Sequence, residues 1–226
     1  MIFFKPRIAV DFFAGSGTTA HAIMKSNFED QGNRRFLLIQ LKEPIDTKLP
    51  SGINAKELGL NAISEISKER IIRAGRQLSS VFREKGKDMN LDIHYKSYKL
   101  DRSSFKKWKN YNGTDTKQLE TLFSQHESSL VDDWKPENLL TEILLIEGFP
   151  LDSKIETVEA FKKNKVQKVT SDFCEHTLFV CLDQKVEDET IKALSLGDND
   201  IFICLDNAVT DQDKVRLDDK GLIKTI

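Results

Sequence analysis

Apolar and polar positions alternate between two spacings along this chain, and the spacings predict different elements. Ile8-Ala9-Val10-Asp11-Phe12 is a short apolar run broken by Ala14-Gly15-Ser16-Gly17, and Thr18 to Lys25 then has helical composition with Ala20, Ile23 and Met24 apolar. That order reads strand, glycine loop, helix. A polar turn, Glu29-Asp30-Gln31-Gly32-Asn33, leads into Phe36-Leu37-Leu38-Ile39-Gln40-Leu41, an unbroken apolar run of the kind a strand covered on both faces shows. Strand, helix and strand in this order predict a parallel pair with a right-handed crossover. Pro44, Pro50 and Gly52 mark a loop. Beyond it Ile63, Ile66, Ile71, Ala74, Leu78 and Val81 recur at helical spacing and predict a long helix packed on the sheet. A third strand is expected at Ile93 to Leu100, after Gly86.

The second half has a different texture. Trp108, Tyr111 and Trp134 stand among charges, with packing as their default role. A helix then starts at Pro136, carries Leu139, Leu140, Ile143 and Leu144 on one face, and stops before Gly148. Short strands are predicted at Ile155 to Phe161, Val166 to Thr170, Thr177 to Leu182 and Ile201 to Leu205, with a helix around Glu187 to Ser195. The expected organisation is two domains, 1–100 and 101–226, each α/β.

Composition narrows this picture little. The chain is 39% hydrophobic and 31% charged with a formal net charge of −2, ordinary for a globular protein and unlike a basic nucleic-acid-binding domain. Met1-Ile2-Phe3-Phe4 is too short for a signal-peptide core before Pro6 and Arg7, and no apolar run approaches a membrane span, so a cytoplasmic protein without membrane contact is expected. Cys174, Cys181 and Cys204 lack metal-ligand spacing and read as free thiols, two of them within strands. His21, His94, His126 and His176 are scattered. No metal site and no catalytic residue is assigned. The predicted long helix carries Lys68, Arg70, Arg73, Arg76, Arg83 and Lys85, read as a solvated face in preference to a surface that tracks phosphates.

The glycine loop carries the chemistry. A nucleoside-triphosphatase loop requires a lysine before its Ser/Thr, whereas Gly17 precedes Thr18, so that reading fails. A dinucleotide would set its pyrophosphate at the helix start, where Asp11 repels it. S-adenosylmethionine has no phosphate, and its ammonium suits Asp11 while its carboxylate suits loop amides. The candidate cofactor-binding residues are Asp11, Phe12, Phe13, Ala14, Gly15, Ser16, Gly17, Thr18 and Gln40. Gln40 stands where a ribose-binding side chain is expected, with Glu43 as the fallback. A plain tight strand–helix turn is the alternative that needs no ligand.

Asp11-Phe12-Phe13-Ala14-Gly15-Ser16-Gly17-Thr18-Thr19-Ala20-His21-Ala22, with Gly32-Asn33-Arg34-Arg35-Phe36 and Ile39-Gln40-Leu41, closely resembles the Mod subunits of type III restriction–modification systems. Lys68 to Gly75, Tyr98 to Phe105 and Leu144 to Leu151 resemble them too. The resemblance implies a partial S-adenosylmethionine-dependent methyltransferase sheet, Rossmann-like, followed by a smaller α/β domain for assembly or subunit contact. It implies DNA adenine-N6 methylation by a parent protein, with DNA and a restriction (Res) subunit as partners.

In that family an Asp-Pro-Pro-Tyr motif and a target-recognition region precede the cofactor loop. The five prolines here are Pro6, Pro44, Pro50, Pro136 and Pro150, none adjacent to another. The expectation is a C-terminal fragment that binds cofactor weakly or not at all and is inactive alone. Its first strand would be an apolar edge in need of a partner: a second copy, a complementing N-terminal fragment, or its own leading residues. A non-enzymatic dimerisation or restriction-subunit-binding module, and a dinucleotide-binding oxidoreductase, stand as alternatives.

Overall fold

The computed structural model describes residues 7–84, 92–107 and 128–226. Met1 to Pro6, Lys85, Gly86, Trp108, Tyr111 and His126 lie outside the described residues, as does the side chain of Arg83. The chain divides into two compact units, Met1–Ser97 and Tyr98–Ile226, both of mixed α/β structure.

In the first unit, β1 (Ile8–Asp11) and β2 (Arg35–Leu38) pair in parallel, Ile8 against Arg35 through Asp11 against Leu38. Between them runs α1 (Thr18–Asp30), the crossover that a parallel pair requires. After β2 come α2 (Pro50–Glu57) and α3 (Ile63–Glu84). The core is made where α1 meets α3: Ala20, Met24, Ile71, Ala74 and Leu78 are buried together, with Phe36 and Leu38 of β2 against them. Ala20 and Ala74 carry so little beyond the backbone that the two helices can approach closely.

Four expectations for this unit are corrected. Residues 92–100 form no strand; Ile93 and Tyr95 instead pack on the helical cluster, Ile93 lying 3.4 Å from where a Cβ on Gly75 would stand. Apolar alternation there serves a helix face, so the sheet holds two strands among the described residues. The stretch around Pro50 is not all loop: Pro50 occupies the first turn of α2, where its fixed φ suits a helix and its missing N–H costs nothing. The run from Phe36 is covered on one face only, since Leu37 and Ile39 remain exposed alongside Ile8 and Val10. Finally, Arg70 does not belong to a solvated basic face; it is half-buried and turned toward the glycine loop.

The second unit is built on one five-stranded sheet in the order β3-β4-β5-β6-β7: Lys154–Thr157, Val166–Thr170, Thr177–Cys181, Asp200–Cys204 and Leu222–Thr225. The first two pairings are antiparallel and the last two parallel. The parallel crossovers contain α5 (Asp188–Ala193) and α6 (Asp211–Asp218), while α4 (Pro136–Ile146) precedes the sheet. Leu139, Leu140, Ile143 and Leu144 of α4 are buried, in one cluster with Val166, Leu178, Val180, Ile203 and Phe149. β3 ends four residues short of the predicted Phe161, because Phe161 N–H donates to Val158 O and closes a turn that brings its ring onto the core. β7 and α6 have no counterpart in the sequence reading. Among the described residues no helix is long and apolar enough to cross a membrane.

Candidate functional site

The glycine loop runs from the end of β1 to the start of α1 and is held from behind by α3. At the end of β1, Asp11 directs its side chain back over the loop: Oδ1 accepts from Phe13 N–H at 3.0 Å and Oδ2 from the Thr19 hydroxyl at 2.6 Å. Both bonds favour the charged form, the Thr19 hydroxyl most, and together they hold this carboxyl below the ordinary aspartate value. An ionised, oriented carboxylate therefore stands at the strand end. Phe12 and Phe13 turn their rings outward, Phe13 88% exposed, while Ala14 is buried beneath them.

The chain then makes two left-handed excursions, at Gly15 (φ 53°) and Gly17 (φ 77°), a backbone region that side chains disfavour. Gly17 is also the N-cap of α1. A Cβ placed on it would lie 3.1 Å from both Cα and O of Ser67, so glycine here answers to contact with α3 as well as to φ.

The loop amides are disposed otherwise than expected. Phe13 N–H is taken by Asp11, Ala14 N–H by Ile39 O at 3.1 Å, Gly15 N–H by Gln40 Oε1 at 2.8 Å and Gly17 N–H by Ala14 O at 2.7 Å. A buried amide must find an acceptor, and here Asp11 and Ala14 supply two from nearby in the chain while Ile39 and Gln40, just past β2, supply the others. Within 13–17 the Ser16 amide alone has no acceptor among the described residues. Gln40, expected at a ribose, has its carboxamide against the loop, with Nε2 donating to Leu41 O at 3.2 Å. Glu43 is exposed, and its backbone carbonyl receives Ile63 N–H at the start of α3.

Two residues of the site escaped the sequence reading. Ser67 Oγ donates to Gly15 O, and Arg70 Nε donates to Ser16 O at 2.8 Å. Ser67 is nearly fully buried. Three positions apart on α3, they lie on one helix face, and that spacing was their signal. Their neighbours diverge: Arg73 pairs with Glu69 on the exposed surface at 2.7 Å.

Elsewhere, no group of His, Cys, Asp and Glu among the described residues could hold a metal ion. In the second unit an apolar hollow of about 260 Å³ is lined by Phe105, Ile143, Ile146, Ile203 and Ile226, with Glu147 and Lys224 paired at 2.6 Å at its edge.

No family model matches the chain. Among curated proteins it is similar to the Mod subunit of the type III restriction–modification enzyme StyLTI of Salmonella typhimurium, 31% identical over 176 residues. That match covers 69% of this chain and 26% of the relative. A type III Mod subunit of Escherichia coli is 30% identical over 67% of this chain and 20% of its own length. The EcoPI Mod subunit of Escherichia phage P1 is 48% identical over 68 residues, 30% of this chain and 10% of its own. The chain thus spans about a quarter or less of the length of these relatives.

Proposed function

This chain is related to the Mod subunits of type III restriction–modification enzymes, and from that premise we propose that its first unit is the S-adenosylmethionine-binding side of a Rossmann-like DNA adenine-N6 methyltransferase domain. The observation that carries the reading is the Asp11 carboxylate, kept ionised and oriented by Thr19 and Phe13 beside a loop most of whose amides already have acceptors within the unit. A pyrophosphate needs a row of open amides and no neighbouring carboxylate. A ligand with an ammonium and a single carboxylate needs the reverse.

The residues fit the cofactor on those terms. Asp11 would take its ammonium and the Ser16 and Thr18 amides its carboxylate, while Gln40 braces the loop through the Gly15 N–H and Phe12, Phe13, Ala14, Gly15 and Gly17 shape the wall. Bound there, the cofactor supplies a methyl group on a sulfonium. The groups that hold a flipped-out adenine belong to the Asp-Pro-Pro-Tyr motif, and no two prolines of this sequence are adjacent. We therefore assign the chain the cofactor side of the reaction, in a cytoplasmic parent protein that meets DNA and a restriction subunit, and expect no methyl transfer by the chain alone. The bare face formed by Ile8, Val10, Leu37 and Ile39 supports a further layer of protein over β1 and β2, from a second copy or a complementing N-terminal segment.

The test is a melting series with S-adenosylhomocysteine and with NADH. A ligand at ten times its dissociation constant stabilises by about 1.4 kcal/mol, so even weak binding is measurable. Because Asp11 and the loop are already set in place, weak binding is expected in preference to none: stabilisation by S-adenosylhomocysteine alone, lost in Asp11→Ala, is the expected outcome. Stabilisation by NADH, or by neither, overturns the reading.

A second reading applies to the other unit, where the apolar hollow and the exposed Leu145 and Ile146 of α4 suit a contact with another protein. On this reading the unit serves assembly. Ile146→Glu should then lower the sedimenting mass of any oligomer, and an unchanged mass speaks against it.

A further inference from the structure

We propose that Ser67 and Arg70 are positioning residues that aim the Ser16 amide at the carboxylate of the ligand held by the glycine loop. The inference rests on the cofactor reading above and deepens it. In a trans peptide the carbonyl of one residue and the N–H of the next point in opposite directions. Ser67 Oγ draws the Gly15 carbonyl toward α3, so the N–H of the same peptide, that of Ser16, is turned away from α3. Arg70 holds the following peptide by its carbonyl at 2.8 Å, while the N–H of that peptide, on Gly17, is tied to Ala14 O at 2.7 Å. Both peptides that flank Ser16 are thereby fixed, and of their two N–H groups that of Ser16 is left open among the described residues.

The clamp is rigid for reasons independent of any ligand. Ser67 is 6% exposed and its backbone abuts Gly17. α3 is itself anchored, with Glu65 Oε2 accepting from Asn61 N–H at 2.5 Å and Ala62 N–H at 3.2 Å ahead of its first turn. Arg70 spends only Nε on the loop, so the charge of its guanidinium remains beside Ser16 and favours an anion there.

The experiment compares S-adenosylmethionine with its decarboxylated analogue, which keeps the ammonium and sulfonium, on the full isotope-labelled chain. The unmutated chain should bind the carboxylate-bearing compound about tenfold more tightly, the factor lost with one charge-assisted hydrogen bond. The Ser16 amide resonance should shift with that compound only. Ser67→Ala, which keeps a good helix former, and Arg70→Ala should erase the preference while leaving affinity for the decarboxylated analogue unchanged. Arg70→Lys, which can still donate to Ser16 O, should restore most of it. Variants that weaken both compounds equally, or that keep the full preference, overturn the positioning role and leave the cofactor reading intact. Failure of the unmutated chain to bind either compound overturns the cofactor reading, and this inference with it.

Discussion

Replacing Gly17 by alanine tests whether the glycine loop is shaped by α3 or only by its own backbone. At φ 77° an alanine pays about 1 kcal/mol for left-handed geometry. Its Cβ would also stand 3.1 Å from Cα and O of Ser67, backbone atoms in the second turn of a packed helix, and overpacking of that kind adds about 1–2 kcal/mol. Gly15→Ala is the control: φ is 53°, but the nearest atom to the new Cβ is 3.8 Å away, so only the backbone cost of about 1 kcal/mol applies. The gain from stiffening the unfolded chain is the same in both and cancels in the comparison. Gly17→Ala should therefore be the less stable by at least about 1 kcal/mol, a five- to tenfold faster amide exchange. The assay is native-state exchange at Ala20, Met24, Ile71 and Ala74, since the sequence up to Ser97 contains no tryptophan to report on this unit. Equal losses in the two variants, or a Gly17→Ala no worse than Gly59→Ala, whose Cβ meets nothing within 4 Å, would refute the argument.

The Asp11 carboxyl is depressed chiefly by the Thr19 hydroxyl, so its contribution to stability is present above the ordinary aspartate pKa and is lost as the pH falls through the lowered value. Thr19→Val should move its carboxyl titration upward by NMR, and an unchanged midpoint would contradict the assignment. Burial pushes the Cys181 thiol up to about 11 and Cys204 to about 12, so alkylation of the native chain near neutral pH should modify Cys174 first. Mass spectrometry showing Cys181 or Cys204 modified at a comparable rate would mean that the β5–β6 core opens far more readily than its packing implies.

What could be read from the sequence follows how local each signal is. β1, the loop and α1 are written by neighbours in the chain, and α3 by an apolar period sustained from Ile63 to Val81, about five turns. β4, β5 and β6 announce themselves because their burial draws on residues such as Val166, Val180 and Phe202, which are strand formers as well as apolar. α6 was invisible to an apolar period, since Leu217 alone of it is buried; its signal is the capping box of Thr210 and Asp213. β7 is four residues, mostly exposed, between Gly221 and Ile226. The stretch from Ile93 misled for a different reason: its alternation is real, but a slot over Gly75 claims it before a sheet can. At the site, Asp11 and the glycines were legible as a motif, whereas the inward turn of the amides was not, because it depends on Gln40 and Ile39 across the sheet. Ser67 and Arg70 lie 52 and 54 residues beyond the carbonyls they hold.

That separation bears on how such loops can be exchanged between proteins. A segment from Asp11 to Ala22 transplanted into another scaffold would carry its glycines but leave behind the surface they are fitted to. The smallest portable piece is the pair of segments, loop and α3 together, and a chimera should keep a small side chain at position 67 whenever it keeps Gly17. Recombination between relatives that breaks between residues 22 and 63 therefore has to conserve a matching pair on either side of the junction, and drift at one member would be tolerated only where the other drifts with it.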